Sequence, residues 1–151
     1  MGSRERVAEF LARSGAGFEI REFDESTRSS ALAAKVLGCT VAEIAKSIVF
    51  VGEGTAVVVA SGDRRVSLPK LTKVFGEARM ASPDEVRERT GYPIGGVPPF
   101  PHGGAVTVLP DESLTRFPKV WAAAGAPNAV FQIGAGDLLR LVGGGPFDVC
   151  E

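Results

Sequence analysis

The side chains that most often carry out chemistry are scarce in this sequence. It contains one histidine, His102, and two cysteines, Cys39 and Cys150, among 151 residues. This set excludes zinc sites built from four cysteines, from two cysteines and two histidines, or from three histidines. A catalytic triad could draw only on His102. We therefore expect any reaction at this protein's site to rely mainly on backbone groups and on other side chains, with no metal or cofactor.

One glycine- and proline-rich segment could supply such backbone groups. Residues 91–104 read GYPIGGVPPFPHGG, and nine of these fourteen residues are glycine or proline. Glycine lets the backbone approach a ligand closely, whereas proline fixes the backbone and removes a donor, so the remaining amides point in few directions. The loop could therefore line a pocket with amides that bind a carbonyl or phosphate oxygen. The alternative, which composition does not exclude, is a long structural connection. The GxGxxG and GxxxxGK[ST] nucleotide loops are absent.

Lys46 is the second candidate for chemistry. It follows a capping box, Thr40–Glu43, which predicts a short helix ending near Lys46, and it precedes an apolar strand that starts at Ile48. This position would hold the ammonium close to the core, at the wall of a cleft. The alternative is a surface lysine whose apolar stem covers hydrophobic residues.

A basic strip follows between positions 64 and 79, where five basic residues stand against one acidic residue, Glu77. The basic residues are Arg64, Arg65, Lys70, Lys73 and Arg79. Such a strip could neutralise several phosphates of a single strand or of a tRNA end. The alternative is a solvated face, which the strip alone indicates equally well.

Composition narrows the class of protein. Hydrophobic residues make up 44% and charged residues 23% of the chain, and no apolar run approaches the roughly 20 residues of a membrane span. The net charge of -1 provides no general cationic field for DNA. The cysteines form no CxxC pair, and charged residues precede the first apolar run, which predicts a cytoplasmic protein without a signal peptide.

The elements that must position these residues follow from hydrophobic periodicity, turn residues and caps. We predict helices over 3–14, 31–36, 40–46, 69–74, 83–90 and 137–142, and strands over 18–23, 48–51, 55–60, 65–68, 105–109, 120–123 and 129–133. The chain has no repeat and no dividing linker. This irregular succession of hairpins and helices predicts one α+β domain, residues 1–151, around a mixed sheet.

Five segments, in this order, resemble the YbaK family, the single-domain relatives of the editing domain inserted in bacterial prolyl-tRNA synthetases. They are AEIAKSIVF at 42–50, GDRRVSLPKL at 62–71, ASPDEV at 81–86, TGYPIGGVPPF at 90–100 and WAAAG at 121–125. The resemblance covers about residues 20–142. It implies a mostly antiparallel, barrel-like sheet surrounded by helices, and hydrolysis of amino acids wrongly attached to tRNA.

The resemblance also implies residue roles. Lys46 would engage the phosphate or ribose of the acceptor adenosine. The family's GGxxP loop, whose backbone amides would hold the ester carbonyl and stabilise its oxyanion, is matched by Gly95, Gly96, Val97, Pro98 and Pro99. No side-chain nucleophile is expected, because the family places a water molecule with help from the terminal ribose hydroxyl of the tRNA. Separately from the resemblance, the charge of the basic strip makes Arg64, Arg65, Lys70 and Lys73 the candidate tRNA-binding residues.

Among the candidate substrate-binding positions, Gly125 matches the family loop that faces the aminoacyl pocket, and two departures from the family pattern limit what the resemblance implies. The expected residues are Phe23, Thr27, Ser30, Phe100, His102 and Gly125, together with the small side chains of 122–124, which indicate a small amino acid. Where many relatives read PFGH, this chain reads PFPH at 99–102, so His102 either contacts the substrate or caps the next strand. Asp111 matches a frequent family acid, but a helix N-cap is the favoured interpretation.

The sequence thus predicts a trans-editing deacylase acting on mischarged tRNA that carries Ala, Cys, Ser or Thr. One alternative is a non-catalytic module of the same fold that binds tRNA or a protein. Another is a hydrolase of a different small acyl or nucleotide ester. Because the net charge is -1, an aminoacyl-tRNA synthetase is expected as a partner that supplies tRNA affinity.

Overall fold

The computed structural model describes residues 2–24 and 29–151, and within these ranges seven strands and five helices follow one another. The strands are β1 (Phe18–Glu22), β2 (Ile44–Val51), β3 (Thr55–Ser61), β4 (Arg79–Met80), β5 (Val106–Pro110), β6 (Lys119–Ala123) and β7 (Ala129–Gly134). The helices are α1 (Ser3–Ser14), α2 (Ser30–Leu37), α3 (Leu68–Val74), α4 (Pro83–Thr90) and α5 (Ala135–Val142). Two 3₁₀ turns, Val41–Glu43 and Glu112–Arg116, lead into β2 and β6.

All seven strands belong to one sheet, in the order β1–β7–β6–β2–β3–β5, with β4 paired to the far end of β2. Four pairings are antiparallel, and the β2–β6 and β3–β5 pairings are parallel. The predicted α+β domain with a mixed, mostly antiparallel sheet is confirmed. The expectation of a barrel-like sheet is wrong, because β1 and β5 lie at opposite ends of the strand order and, among the described strands, have no pairing that would close it.

The β2–β3 hairpin lies inside the sheet, with β6 beside β2 and β5 beside β3. Every residue of β3 is buried, because β2 and β5 flank the strand and hydrophobic side chains cover both of its faces. Val57 and Val59 join the largest hydrophobic cluster on one face, whereas Ala56 and Val58 join a second cluster on the other. A nearly continuous apolar run is typical of a strand covered on both sides.

Caps set the helix boundaries where the sequence predicts them. Ser82 and Glu85 form a capping box at the start of α4, and Gly91 ends that helix in the left-handed conformation that glycine adopts most easily. The α1 and α2 helices end in the same way at Gly15 and Gly38.

Two local predictions are wrong for identifiable reasons. The capping box at Thr40–Glu43 forms, but it closes a single 3₁₀ turn, and β2 begins at Ile44 because its apolar residues pair with β3 and β6. Lys46 therefore lies inside a strand. The predicted strand at 65–68 is reduced to one bridge between Val66 and Cys150, because the Ser67 hydroxyl caps α3. The two-residue strand β4 was not predicted.

The C-terminal segment is held to the sheet by the buried carboxylate of Asp111. One carboxylate oxygen accepts from the Ser113 amide at 2.9 Å and the other from the Val149 amide at 3.0 Å. Burial alone would raise the pKa of Asp111, but these hydrogen bonds outweigh it and hold the pKa below its usual range. The favoured N-cap interpretation of Asp111 is confirmed.

The two cysteines are free thiols. Burial, followed by the charge of Asp111, raises the pKa of Cys150 to about 12, so this thiol stays protonated. Within the described ranges, none of the helices is both long enough and apolar enough to span a membrane.

Candidate active site

The sheet has an opening beside β2. Strand β6 pairs with β2 only at Ile44 and Ala45, and β4 pairs with it only at Phe50 and Val51. The β2 edge between these pairings faces a cavity of about 340 Å³, a volume typical of small-molecule sites. The start of α2, strands β2 and β6, and the glycine- and proline-rich loop contribute its wall, which includes Ser30, Lys46, Ser47, Ile94, Gly95, Val97, Trp121, Ala122 and Ala123.

Lys46 is the one charged residue in the described part of the cavity wall. Its half-buried ammonium donates a hydrogen bond to the backbone carbonyl of Arg64. Because β2 pairs with β3 at this position, the lysine stem starts from a rigid backbone. An ammonium carries three donors, so the remaining two can bind an anionic or hydroxyl group at the cavity.

A tight turn places the loop against this cavity. The Gly96 amide donates to the Pro93 carbonyl at 2.9 Å, and Gly95, with φ of 82°, occupies the third position of this four-residue turn. A positive φ at that position favours glycine. The turn uses the Gly96 amide, so that group is not available to a ligand.

The candidate oxyanion donors are the amides of Gly95 and Val97. Both residues line the cavity, and neither amide donates a hydrogen bond to another residue in the ranges 2–24 and 29–151. Pro98 has no N–H, and its carbonyl accepts from the Nε2 of His102 at 2.7 Å. Unpaired amides of residues that line a cavity are candidates to stabilise a negative charge that develops there.

Packing behind the loop keeps it in place. A Cβ added to Gly96 would lie 2.9 Å from the backbone N and Cα of Ala126, so a side chain at this position would push the loop away. On the far side, the Tyr92 hydroxyl donates to the Pro101 carbonyl at 2.8 Å, and its ring lies edge-on to His102. These contacts make the loop a preorganised element.

His102 supports the loop from inside. Burial lowers its pKa below the usual 6.5 and outweighs the hydrogen bond to Pro98, and the charge of Arg6 lowers the pKa further. The ring is therefore neutral near pH 7, with its proton on Nε2, which faces the Pro98 carbonyl. His102 does not line the cavity; its Nδ1 is buried and has no hydrogen-bond partner among the described residues.

The geometry agrees with a family comparison. Residues 24–141 match the aminoacyl-tRNA editing domain family, which is most of the chain. The chain belongs to this family. The sequence resemblance to single-domain editing proteins is confirmed.

Two relatives of this editing domain match three quarters of its length or more. It is 41% identical to the uncharacterized protein YwhH of Bacillus subtilis over 118 residues, which are 76% of this chain and 75% of that protein. It is 26% identical over 147 residues to the multifunctional Ser/Thr-tRNA deacylase ProXp-y of Escherichia coli K12, covering 92% of this chain and 87% of the relative.

Two solved structures share the fold. One is described as "a putative trans-editing enzyme for prolyl tRNA synthetase"; it has a TM-score of 0.89 and 42% identity, and the match covers 100% of this chain and 98% of the other. The other, hypothetical protein APE2540, has a TM-score of 0.90 and 31% identity, with 97% and 99% coverage.

The editing domain brings only part of the predicted site to the cavity. Ser30, Lys46, Gly95 and Val97 line it, as do the small side chains of Ala122 and Ala123. Thr27 lies outside the described residues. Residues placed away from the described cavity wall are Phe23, Gly96, Pro98, Phe100, His102, Ala124 and Gly125.

Three of those distant residues have clear structural contacts. Phe100 is buried in the core, with its ring centroid 5.0 Å from that of Phe10 and 5.8 Å from that of Phe131. Gly125 packs against the start of α1, where an added Cβ would lie 2.6 Å from the Ser3 carbonyl oxygen. Phe23 packs against the cluster that contains Trp121.

The basic strip contains residues that have acidic partners and residues that do not. The Lys70 ammonium bonds to the Asp148 carboxylate and to the Cys150 carbonyl, both at 2.8 Å, and the Asp148 contact raises the pKa of Lys70. Arg64 lies beside Asp63 at 4.0 Å. By contrast, Arg65 and Lys73 are exposed, and neither forms an ion pair with a described residue.

Several cavity residues were not predicted. Trp121 lies in the WAAAG segment but carried no assigned role, and Ser47 directly follows Lys46. Met80 and Ile94 line the cavity with about 65% and 49% of their surface exposed, which forms an apolar rim. Large exposed side chains beside a cavity indicate such a rim, but the sequence alone does not show which side chains are exposed there.

The described residues contain no group of three or more histidine, cysteine, aspartate or glutamate side chains that could hold a metal ion.

Proposed function

We propose that this editing domain is a trans-editing aminoacyl-tRNA deacylase, which hydrolyses the ester between a small amino acid and the 3′ end of a mischarged tRNA. The observation that carries the proposal is that Lys46, Gly95 and Val97 line one cavity, and that neither the Gly95 nor the Val97 amide is engaged by another described residue. Membership of the aminoacyl-tRNA editing family supports the reaction class. We place the activity in the cytoplasm, where the substrate would arise.

The proposed reaction is a simple ester hydrolysis. The oxygen of a water molecule attacks the ester carbonyl carbon, and the amides of Gly95 and Val97 stabilise the negative oxygen that develops. The bond between the carbonyl carbon and the ribose oxygen then breaks, and the proton lost by the water reaches that oxygen. The products are the free amino acid and the uncharged tRNA.

The water must be activated without a side-chain base from the described cavity wall, which contains no histidine, carboxylate or thiol. We assign its positioning to the neighbouring ribose hydroxyl of the substrate. An aminoacyl ester is already reactive, so positioning and oxyanion donors can supply much of the acceleration.

Lys46 would bind the phosphate or ribose of the terminal adenosine. Because its ammonium is held by the Arg64 carbonyl, a phosphate at Lys46 would lie beside the basic strip. The exposed Arg65 and Lys73 could then contact the acceptor strand. With a net charge of -1, the domain gains additional tRNA affinity from a partner synthetase in this proposal.

The aminoacyl group would occupy the part of the cavity lined by Ala122, Ala123 and Val97. Alanine and valine side chains leave space for a small residue such as Ala, Cys, Ser or Thr. One methylene group changes binding in an apolar pocket by only about 1–3 kcal/mol, so several small residues could be accepted.

The experiment is a panel of tRNAs mischarged with Ala, Ser, Thr or Cys, incubated with the wild type, Lys46→Ala and Lys119→Ala. Lys119 is an exposed lysine of β6 outside the cavity wall, so it controls for loss of one surface charge. We expect hydrolysis of at least one ester, a rate about 100-fold lower in Lys46→Ala, and an unchanged rate in Lys119→Ala. Binding of tRNA without hydrolysis of any ester would instead identify a non-catalytic module.

A further inference from the structure

Ser47 occupies the middle of the opening in the sheet. The Val49 carbonyl accepts from the Ala81 amide at 2.9 Å, so the polar groups of Val49 point to the β4 side of β2. In a strand paired antiparallel, the backbone groups of alternate residues point to the same edge. The backbone N–H and C=O of Ser47 therefore point to this edge, where β6 has already separated and β4 has not yet joined.

The Ser47 hydroxyl is a polar group without a partner. Its Oγ is buried and forms no hydrogen bond with another described residue, although Ser47 lines the cavity. Native proteins rarely leave such an atom unpaired, because burial removes its hydrogen bonds to water. Rotation about the Cα–Cβ bond moves the Oγ of a serine between staggered positions, so the Ser47 hydroxyl can turn toward a ligand in the cavity.

The surroundings of Ser47 indicate which ligand group it meets. Successive side chains on a strand point to opposite faces, so Ser47 shares a face with Ala45 and Val49, whereas Lys46 lies on the other. Ala45 and Val49 belong to the main hydrophobic cluster together with Val86 and Val97, which also line the cavity. This part of the described wall contains no carboxylate that could balance a positively charged ligand group. An uncharged hydroxyl of the ligand is therefore the group that matches the Ser47 hydroxyl.

We infer that Ser47 is a specificity-determining residue, which hydrogen-bonds the side-chain hydroxyl of a hydroxyl-bearing aminoacyl group. This inference rests on the proposed function and narrows its substrate class to seryl and threonyl esters over alanyl esters. Lys46 and Ser47 would then divide the substrate across β2, with the adenosine end on one face and the amino-acid side chain on the other.

The test measures binding, which does not depend on turnover. Calorimetry would compare 3′-deoxy-3′-(L-seryl)aminoadenosine with its alanyl analogue, both of which carry a stable amide. For the wild type we expect the seryl analogue to bind about ten-fold more tightly, and for Ser47→Ala we expect that preference to disappear with alanyl affinity changed by less than about two-fold. Ser47→Thr retains a hydroxyl and should keep the preference.

Each other result overturns the inference. Equal weakening of both analogues in Ser47→Ala would show that Ser47 contacts a part common to both, and an unchanged preference would show that it contacts neither side chain. Absence of binding by either analogue would also contradict it. Thermal unfolding of Ser47→Ala should match the wild type, because removing an unpaired hydroxyl breaks no hydrogen bond.

A separate assay of seryl-tRNA hydrolysis distinguishes the two proposals. If the wild type binds the seryl analogue preferentially but hydrolyses no ester, the proposed function fails and the role of Ser47 in recognition stands. If the ester is hydrolysed but Ser47→Ala keeps the preference for the seryl group, the proposed function stands and the role of Ser47 fails.

Discussion

The ammonium of Lys46 donates a hydrogen bond to the backbone carbonyl of Arg64, which lies 18 residues further along the chain. The bond joins the inner wall of the cavity to the loop after β3. That loop also presents the side chains of Arg64 and Arg65 to solvent. The short segment around Arg64 therefore orients the Lys46 ammonium in the cavity and also positions the start of the basic strip.

The free and paired lysines of the strip should differ in their effect on tRNA binding. Lys73→Gln should reduce affinity for tRNA and lower the slope of log K against log salt by about 0.7–0.9, because one phosphate contact is lost. Lys70→Gln removes a lysine already engaged by Asp148 and should change the slope much less. Filter binding over a salt series measures both slopes, and equal slopes for the two variants would contradict this division of the strip.

Gly96→Ala should lower the rate of ester hydrolysis although its amide does not face the ligand. The new Cβ would lie 2.9 Å from the Ala126 backbone, so the loop must shift and move the Gly95 and Val97 amides. A displacement of about 1 Å at a reacting group can reduce a rate by about 100-fold. Gly103→Ala is the matched control, because a Cβ there meets nothing within 4 Å. Single-turnover kinetics with equal rates for both variants would argue against preorganisation by this packing.

His102 should make stability sensitive to pH in mildly acidic solution. Burial lowers its pKa in the folded state, so below pH 6.5 the unfolded chain binds a proton that the folded chain does not. The stability that depends on neutral His102 is therefore fully present above about pH 6.5. The free energy of unfolding then falls as the pH decreases toward the folded pKa, by at most about 1.4 kcal/mol per pH unit.

Urea unfolding between pH 7.5 and 5.5 measures this slope. His102→Gln should flatten the slope in that range, because His102 is the single histidine of the sequence. Below about pH 4.5, carboxylates such as Glu85, whose pKa is lowered to about 2 by the hydrogen bond from Arg79, add their own loss of stability. An identical slope in the variant and the wild type above pH 5.5 would exclude a buried neutral His102.

Phe100 and Ile94 should separate stability from ligand affinity. Phe100→Ala should reduce the free energy of unfolding by about 3–5 kcal/mol, since the ring packs between Phe10 and Phe131 in the core. Ile94→Ala removes a half-exposed side chain from the cavity rim and should change stability by less than about 0.5 kcal/mol. It should weaken binding of an aminoacyl-adenosine analogue. Chemical unfolding and calorimetry on the same two proteins provide the comparison, and the reverse pattern would place Phe100 in the site.

The sequence by itself determined the local architecture of this protein. Helix ends depend on residues within one turn of each other, so the neighbouring sequence suffices to predict them. This applies to the helix ends at Gly15, Gly38 and Gly91 and to the capping box at Ser82. The β2–β3 hairpin follows from two apolar runs joined by a turn. The scarcity of histidine and cysteine likewise makes Lys46 and the 91–104 loop the candidates for chemistry from the sequence alone.

Tertiary structure alone decided which groups of that loop and strand face the cavity. The opening beside Ser47 exists because β6 separates from β2 after Ala45 and β4 joins only at Phe50, a pairing of strands far apart in the chain. The Gly96 amide, which the sequence predicts as part of the oxyanion loop, bonds instead to the Pro93 carbonyl, and the Phe100 ring lies in the hydrophobic core. These contacts depend on which segments, far apart in the chain, pack together, and the spacing of residues along the sequence does not specify that packing.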